Sequence, residues 1–237
     1  MSGPTQCLPG RNQNKAEAAR ISSCEPGAGA GMEEHGPQSD RDGTRDSTLA
    51  EFSGSDCFEA FVGVGSNVDP EKNILSALPG IQSALEVVAA SRFYRTPAFS
   101  PDRRDLPPFV NGVLKIRTTH TPRDLKYGVL RNIEWRADRR RAVDRYSPRT
   151  LDLDLLVYGN LQVDSEGLTL PDPDISVHSF WAVPLAELLP EFCLPKNPLP
   201  LKELVHTLDT RSMVYMESFT ERIRHTLHLS TRRSRHN

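Results

Sequence analysis

FEAFVGVGSNVDPEKNILSALPGIQSALEVVAASRFY, residues 58–94, is the stretch whose reading decides the fold. FEAFVGVGSN is apolar and rich in β-branched residues, then stops at Gly65-Ser66-Asn67. That pattern is a buried strand running into a turn. Asp69-Pro70 supplies an N-cap and a proline at the first helical position. Ile74, Leu78, Ile81 and Leu85 then recur at helical spacing. Pro79-Gly80 interrupts the run, and a kink or an early end is expected there. Val87 to Tyr94 reads as a second strand.

Downstream, Arg95 to Pro108 is rich in proline and charge and reads as a mobile loop. Phe109 to Thr118 is a third strand. Thr121-Pro122 with Asp124 makes a capping arrangement, and Leu125, Val129 and Ile133 give a second helix its buried stripe. Thr150 to Tyr158 is a fourth strand. The order β-α-β-β-α-β defines an α+β, ferredoxin-like core, an antiparallel sheet with helices packed on one face. A short hairpin, a Pro/Asp-rich loop and short helices near Pro184–Leu189 and Leu201–Leu208 should follow Gly159.

The 237 residues allow one domain plus tails, or two small domains. Residues 1–55, with EPGAGAGM from Glu25 to Met32 and a polar run from Glu33 to Thr48, show no apolar periodicity. They read as a disordered extension, because they cannot bury enough surface to offset their ordering entropy. Residues 56–210 form the expected domain, and 211–237 a basic, partly helical tail that frays from Arg222. With 29 basic and 31 acidic side chains, the chain as a whole has no strong pull on nucleic acid or anionic membranes. No signal peptide and no run near the roughly 20 apolar residues of a bilayer span is visible, so a soluble, cytoplasmic protein is expected, and a monomer is the expectation for its assembly. The four cysteines lack metal-ligand spacing and read as free thiols in a reducing compartment.

The densest chemical signal is RRRAVDRYSPRTLDLDLLVYG, Arg139 to Gly159. Residues two apart on a strand share a face, so Asp152 and Asp154 point one way and Leu151, Leu153 and Leu155 point into the core. Strand geometry puts such carboxylates roughly 7 Å apart, a separation suited to hard divalent cations bridged by phosphate oxygens. The bland alternative is a solvated strand face. The arginines upstream, Arg139, Arg140, Arg141, Arg145 and Arg149, repel one another unless an anion screens them, and guanidinium groups pair bidentately with phosphate. A magnesium–polyphosphate site fits this combination. The same fold order also hosts RNA-recognition modules, but these need exposed aromatics where this strand carries acids. The P-loop and protein-kinase motif sets are absent, and Gly63, Gly65 and Ser66 read as a tight turn.

Pro148 to Asp154, PRTLDLD, resembles the signature of the 6-hydroxymethyl-7,8-dihydropterin pyrophosphokinase family. Further blocks resemble it in the same order: Gly65-Ser66-Asn67, Phe93-Tyr94-Arg95-Thr96-Pro97, Phe109-Val110-Asn111, Glu134, and Val183-Pro184-Leu185 with Glu187. The likeness runs from about Phe58 to Leu208. It implies transfer of diphosphate from ATP to a reduced hydroxymethylpterin, with release of AMP, in folate biosynthesis.

By this resemblance, Asp152 and Asp154 hold two Mg²⁺ ions, and Arg139, Arg141 and Arg149 contact the triphosphate. Tyr146 joins Arg139 and Arg141 on a loop over the substrates. Arg131, Glu134, Leu155, Thr169, Asp172 and His178 fall at positions of the nucleotide pocket. Thr96, Pro97, Phe99 and Asn111 fall in the pterin pocket, with Phe109 and Phe180 sandwiching the ring. For the two phenylalanines ordinary core packing is the alternative, and for Asn111 a strand-end polar residue.

Several positions depart from the family pattern. Arg131 replaces a usual glutamine, Tyr146 a tryptophan, Ser147 a glycine, Asp172 a histidine and His178 an arginine. The last two lower the positive charge around the triphosphate. Weaker ATP affinity, or compensation by Arg140 and Arg145, is expected. A silent family member that binds only nucleotide or a partner stays open, as does an RNA-binding module.

Overall fold

The computed structural model describes residues 56–98, 106–137 and 149–229. The readings made for residues 1–55, for Phe99, and for Arg139, Arg140, Arg141, Arg145, Tyr146 and Ser147 lie outside the described residues. Strand β1 (Phe58–Ser66) is central. It pairs antiparallel with β4 (Phe109–Thr118) on one side and β5 (Asp152–Tyr158) on the other. The sheet order is β5-β1-β4-β3-β8, with β2 (Glu86–Ala90) also on β4, beside β3 (Tyr94–Thr96); β8 is Val214–Tyr215. A small hairpin, β6 (Val163–Ser165) and β7 (Leu168–Leu170), stands apart.

The expected second strand is broken in two. Ala90 faces Leu114 and Tyr94 faces Asn111, so four steps along one strand meet three along the other. The extra residue makes a bulge. Ser91 holds it together: its N–H donates to Val113 O at 2.9 Å, and its Oγ accepts from Val113 N at 2.8 Å. The Phe93 ring then lies on Gly112, where a Cβ would come within 2.7 Å of it.

Helix α1 (Pro70–Ala84) buries Ile74, Ala77, Leu78 and Ile81, and it runs through Pro79 rather than ending there. Packing of that apolar face outweighs the missing proline donor. Asp69 is not a side-chain cap; it sits in the left-handed region at φ 38° and makes no capping hydrogen bond. Thr121 does cap as expected, accepting from Asp124 N at 3.2 Å. The helix it starts comprises α2 (Pro122–Asp124), a π-helical stretch (Leu125–Leu130) and α3 (Arg131–Arg136).

Helices cover both faces of the sheet, not one as expected. The first face carries Ala60, Val62, Val64, Leu114, Ile116, Leu153 and Leu155, packed with Ile74, Leu78, Leu125 and Leu130. The second carries Phe61, Val113, Leu156 and Val157 under α4 (Ser179–Leu188) and α5 (Leu201–Leu204). A second bulge lets β5 serve both: Phe61 faces Val157 while Val62 faces Leu155, which leaves Leu156 extra. The segment expected as a tail joins the fold, since β8 extends the sheet and α6 (Glu217–Thr226) buries Phe219, Thr220 and Ile223. The free-thiol reading is corrected: Cys57 and Cys193 are both disulfide-bonded. No helix among the described residues is long and apolar enough to cross a membrane.

Gly112→Ala should force Phe93 off its site and cost about 1–3 kcal/mol, the usual range for overpacking a filled core. Urea denaturation measures this; an unchanged midpoint would show that the ring can yield.

Candidate active site

The second face of the sheet is not covered along its whole length. Where α4 ends its cover, the strand ends leave a cavity of about 160 Å³. Gly65, Thr96, Pro97, Leu106, Phe109, Asn111, Arg149, Asp152, Asp154, Asp174, His178, Phe180 and Trp181 line it.

Asp152 and Asp154 alternate with Leu153 on β5, so both carboxylates reach the cavity while Leu153 enters the core. Asp152 is only 6% exposed. The Arg149 guanidinium donates to its Oδ2. On β4, Asn111 is also buried, and its Nδ2 donates to Thr96 Oγ1 at 2.9 Å. Phe109 begins the same strand and lines the same wall. Phe180 comes from the first turn of α4, with the His178 imidazole stacked on it at 4.9 Å and Trp181 edge-on at 5.2 Å.

The glycines of β1 make this packing possible. A Cβ on Gly63 would lie 2.7 Å from the Trp181 ring, and one on Gly65 would lie 2.9 Å from Asn111 Oδ1. They are therefore more than a tight turn, as they let an indole and an amide lie directly on the strand. The sequence reading missed Trp181, Asp174 and Leu106. The available signal was the period-two glycine pair, which calls for a large neighbour on that face.

The remaining sequence-assigned residues do not line the cavity. Leu155 is buried in the core, and Glu134 is buried with its Oε1 accepting from Leu153 N at 2.8 Å. Leu153 lies on an edge strand, and the carboxylate satisfies an N–H that has no strand neighbour on that side. Beyond this edge, β5 meets the π-helical stretch and β7. There Lys126 Nζ donates to Gly167 O at 3.3 Å, and the Tyr127 hydroxyl donates to the same carbonyl. Arg131 lies 4.0 Å over the Tyr127 ring, and Thr169 Oγ1 donates to Asp164 at 3.2 Å. The assigned residues thus form two groups, one inside the cavity and one along the open edge of β5.

Comparison with known proteins agrees with this geometry. The family described as 7,8-dihydro-6-hydroxymethylpterin-pyrophosphokinase (HPPK) matches residues 61–190. The chain belongs to the HPPK family. A Synechocystis protein named 2-amino-4-hydroxy-6-hydroxymethyldihydropteridine pyrophosphokinase is 34% identical over 159 residues, covering 65% of this chain and 77% of that one. One of the same name from Haemophilus influenzae is 35% identical over 158 residues, covering 65% of this chain and 96% of its own length. Among solved structures, Plasmodium falciparum HPPK-DHPS with pteroate has the same fold. Its TM-score is 0.51 at 11% identity, covering 64% of this chain and 42% of that one.

In this HPPK family member the acidity of the site extends past the aspartate pair. Asp172 accepts from Asp174 N at 2.9 Å and caps the short 3₁₀ turn Pro173–Ser176. Burial, with a smaller contribution from Asp154 and Asp174, pushes its carboxyl up from 3.8 to about 6. Asp174 N–H and Lys126 oppose the shift. A folded value above the unfolded one means that the native state holds more protons between those limits. Stability from this group is therefore greatest below the unfolded value and falls as pH rises toward 6.

Asp172→Asn keeps an acceptor for Asp174 N and removes the charge. In metal-free buffer it should remove that fall, making the variant about 1–2 kcal/mol more stable relative to wild type above pH 6 than at pH 4. Denaturant titrations across that window measure the difference, and parallel curves would reject the assignment.

Proposed function

We infer that this chain transfers the diphosphate group of ATP to the hydroxymethyl group of 6-hydroxymethyl-7,8-dihydropterin, with release of AMP. The observation that carries the reading is the meeting, in one cavity, of two carboxylates and an arginine with an amide and two phenylalanines. The first set suits a metal-bound triphosphate and the second a flat heterocycle.

The donor chemistry of Asp152 and Asp154 fits divalent cations. Both offer hard oxygens on one face, and Asp152 already takes a cationic partner in Arg149. We assign two Mg²⁺ ions to this pair; when bound, they would neutralise phosphate charge and make the substrate hydroxyl easier to deprotonate. The protein's own part is positioning. Phe109 and Phe180 provide aromatic walls for the pterin, and Asn111, turned by Thr96, offers Oδ1 to its amide-like edge. Arg149 offers its guanidinium to the phosphates from beside Asp152.

The pterin oxygen attacks the β-phosphorus and the bond from that phosphorus to the α-phosphate oxygen breaks. AMP departs with the bridging oxygen, and the hydroxyl proton passes to solvent. Alignment of the two reactants and stabilisation of the spreading phosphate charge supply the acceleration. We place the nucleotide base along the open edge of β5, among Glu134, Leu155, Thr169 and Arg131. We also take the working unit to be a monomer.

Asp152→Asn and Asp154→Asn should each lower AMP release by at least about 100-fold, the scale expected when a charge-stabilising group is lost. Both variants should keep the wild-type circular dichroism spectrum. Assay with ATP, Mg²⁺ and the reduced pterin checks this, and near-wild-type turnover in both would overturn the metal assignment.

A further inference from the structure

Asn67 follows the last residue of β1, and it touches the entries of both neighbouring strands. Its Oδ1 accepts from Arg149 N at 2.6 Å, and its own N–H donates to Arg149 O at 3.0 Å. Val68 N and Ser66 Oγ also donate to that carbonyl, both at 3.3 Å. On the other side, Asn67 Nδ2 donates to Pro107 O at 3.4 Å. The regular ladder with β5 stops at Gly65–Asp152, and the ladder with β4 stops at Ser66–Val110. Asn67 therefore extends the central strand's pairing by one residue, using its side chain in both directions.

The two segments it grips carry opposite halves of the cavity. Arg149 bears the guanidinium that meets Asp152, and Leu106 and Phe109 flank Pro107 on the aromatic wall. We propose that Asn67 is a positioning residue that fixes the phosphate-binding half of the site relative to the pterin-binding half. This proposal rests on the pyrophosphokinase reading above. Asn67 is 2% exposed and, unlike the likewise buried Asn111 and Asp152, does not line the cavity, so it acts through the segments it holds. An amide is needed there because only it offers an acceptor and a donor from one planar fork. An aspartate keeps the acceptor but loses the donor, and alanine loses both. Misplacement of about 1 Å between reactants can cost on the order of 100-fold in rate, so loss of this brace should be visible in turnover.

The test compares full-length Asn67→Asp and Asn67→Ala with wild type, using AMP release and backbone hydrogen exchange. Asn67→Asp should free the Pro107 side only. The pterin KM should rise about 5- to 10-fold with a smaller change in kcat, and exchange should quicken in residues 106–110 but not in 149–153. Asn67→Ala should quicken exchange in both segments and lower kcat about 10- to 100-fold. Combined with Arg149→Ala, it should add less than its separate effect, because it acts through Arg149. Effects that multiply independently, or losses that track the unfolded fraction alone, would overturn the proposal. So would exchange that quickens equally in both segments of Asn67→Asp. If wild type releases no AMP, the pyrophosphokinase reading fails, while the exchange pattern still decides whether Asn67 braces both segments.

Discussion

Two carboxylates on one face of an edge strand repel each other, and that repulsion organises the surroundings of β5. Asp152 is nearly buried, where an unpaired anion is costly, so Arg149 lies against it. Burial, with a smaller contribution from Asp154 and Asp174, raises the proton affinity of Asp172 nearby. A fold that gathers this much negative charge at one cavity gains from added cations. Under the proposed function, phosphate and metal together would supply what the protein lacks, each neutralising the other at the same wall.

The sheet holds these groups with devices that differ from regular pairing. Bulges at Ser91 and Leu156 change which residues face which layer, so one strand can serve two cores. Gly63 and Gly65 remove side chains where Trp181 and Asn111 need to lie. Glu134 satisfies the Leu153 N–H on the outer edge of β5 from a buried position. Glu187 performs a similar task at the other end of the sheet. It accepts from Arg92 N at 2.8 Å and from the Tyr94 hydroxyl, tying α4 to the break between β2 and β3. Burial, aided by Glu187, raises the Tyr94 hydroxyl to about 12, so it remains a donor across the physiological range.

Element order was legible because β1 and β4 are apolar and β-branched, β5 alternates acids with leucines, and α1 has a clear helical stripe. The paired aspartates were legible because strand periodicity alone puts both on one face. The break after Ala90 was not, since it depends on Ser91 replacing a backbone partner across the sheet. The cover of the second face was missed because α4 is apolar on most sides and shows little periodicity around Trp181. Residues after 210 looked polar, yet Phe219 and Ile223 suffice to dock α6. Among the site residues, those assigned to the pterin pocket and described here do line the cavity. The nucleotide assignments are divided, because strand ends and strand edge are separate places that a linear sequence does not distinguish.

On the proposed function, the β5 aspartates and Arg149 receive a metal-clad triphosphate. Equilibrium binding of α,β-methylene-ATP, whose α–β bond resists transfer, tests this most directly. Binding should be firm with Mg²⁺ and at least about tenfold weaker when the metal is chelated. Equal affinity with and without the metal would contradict it.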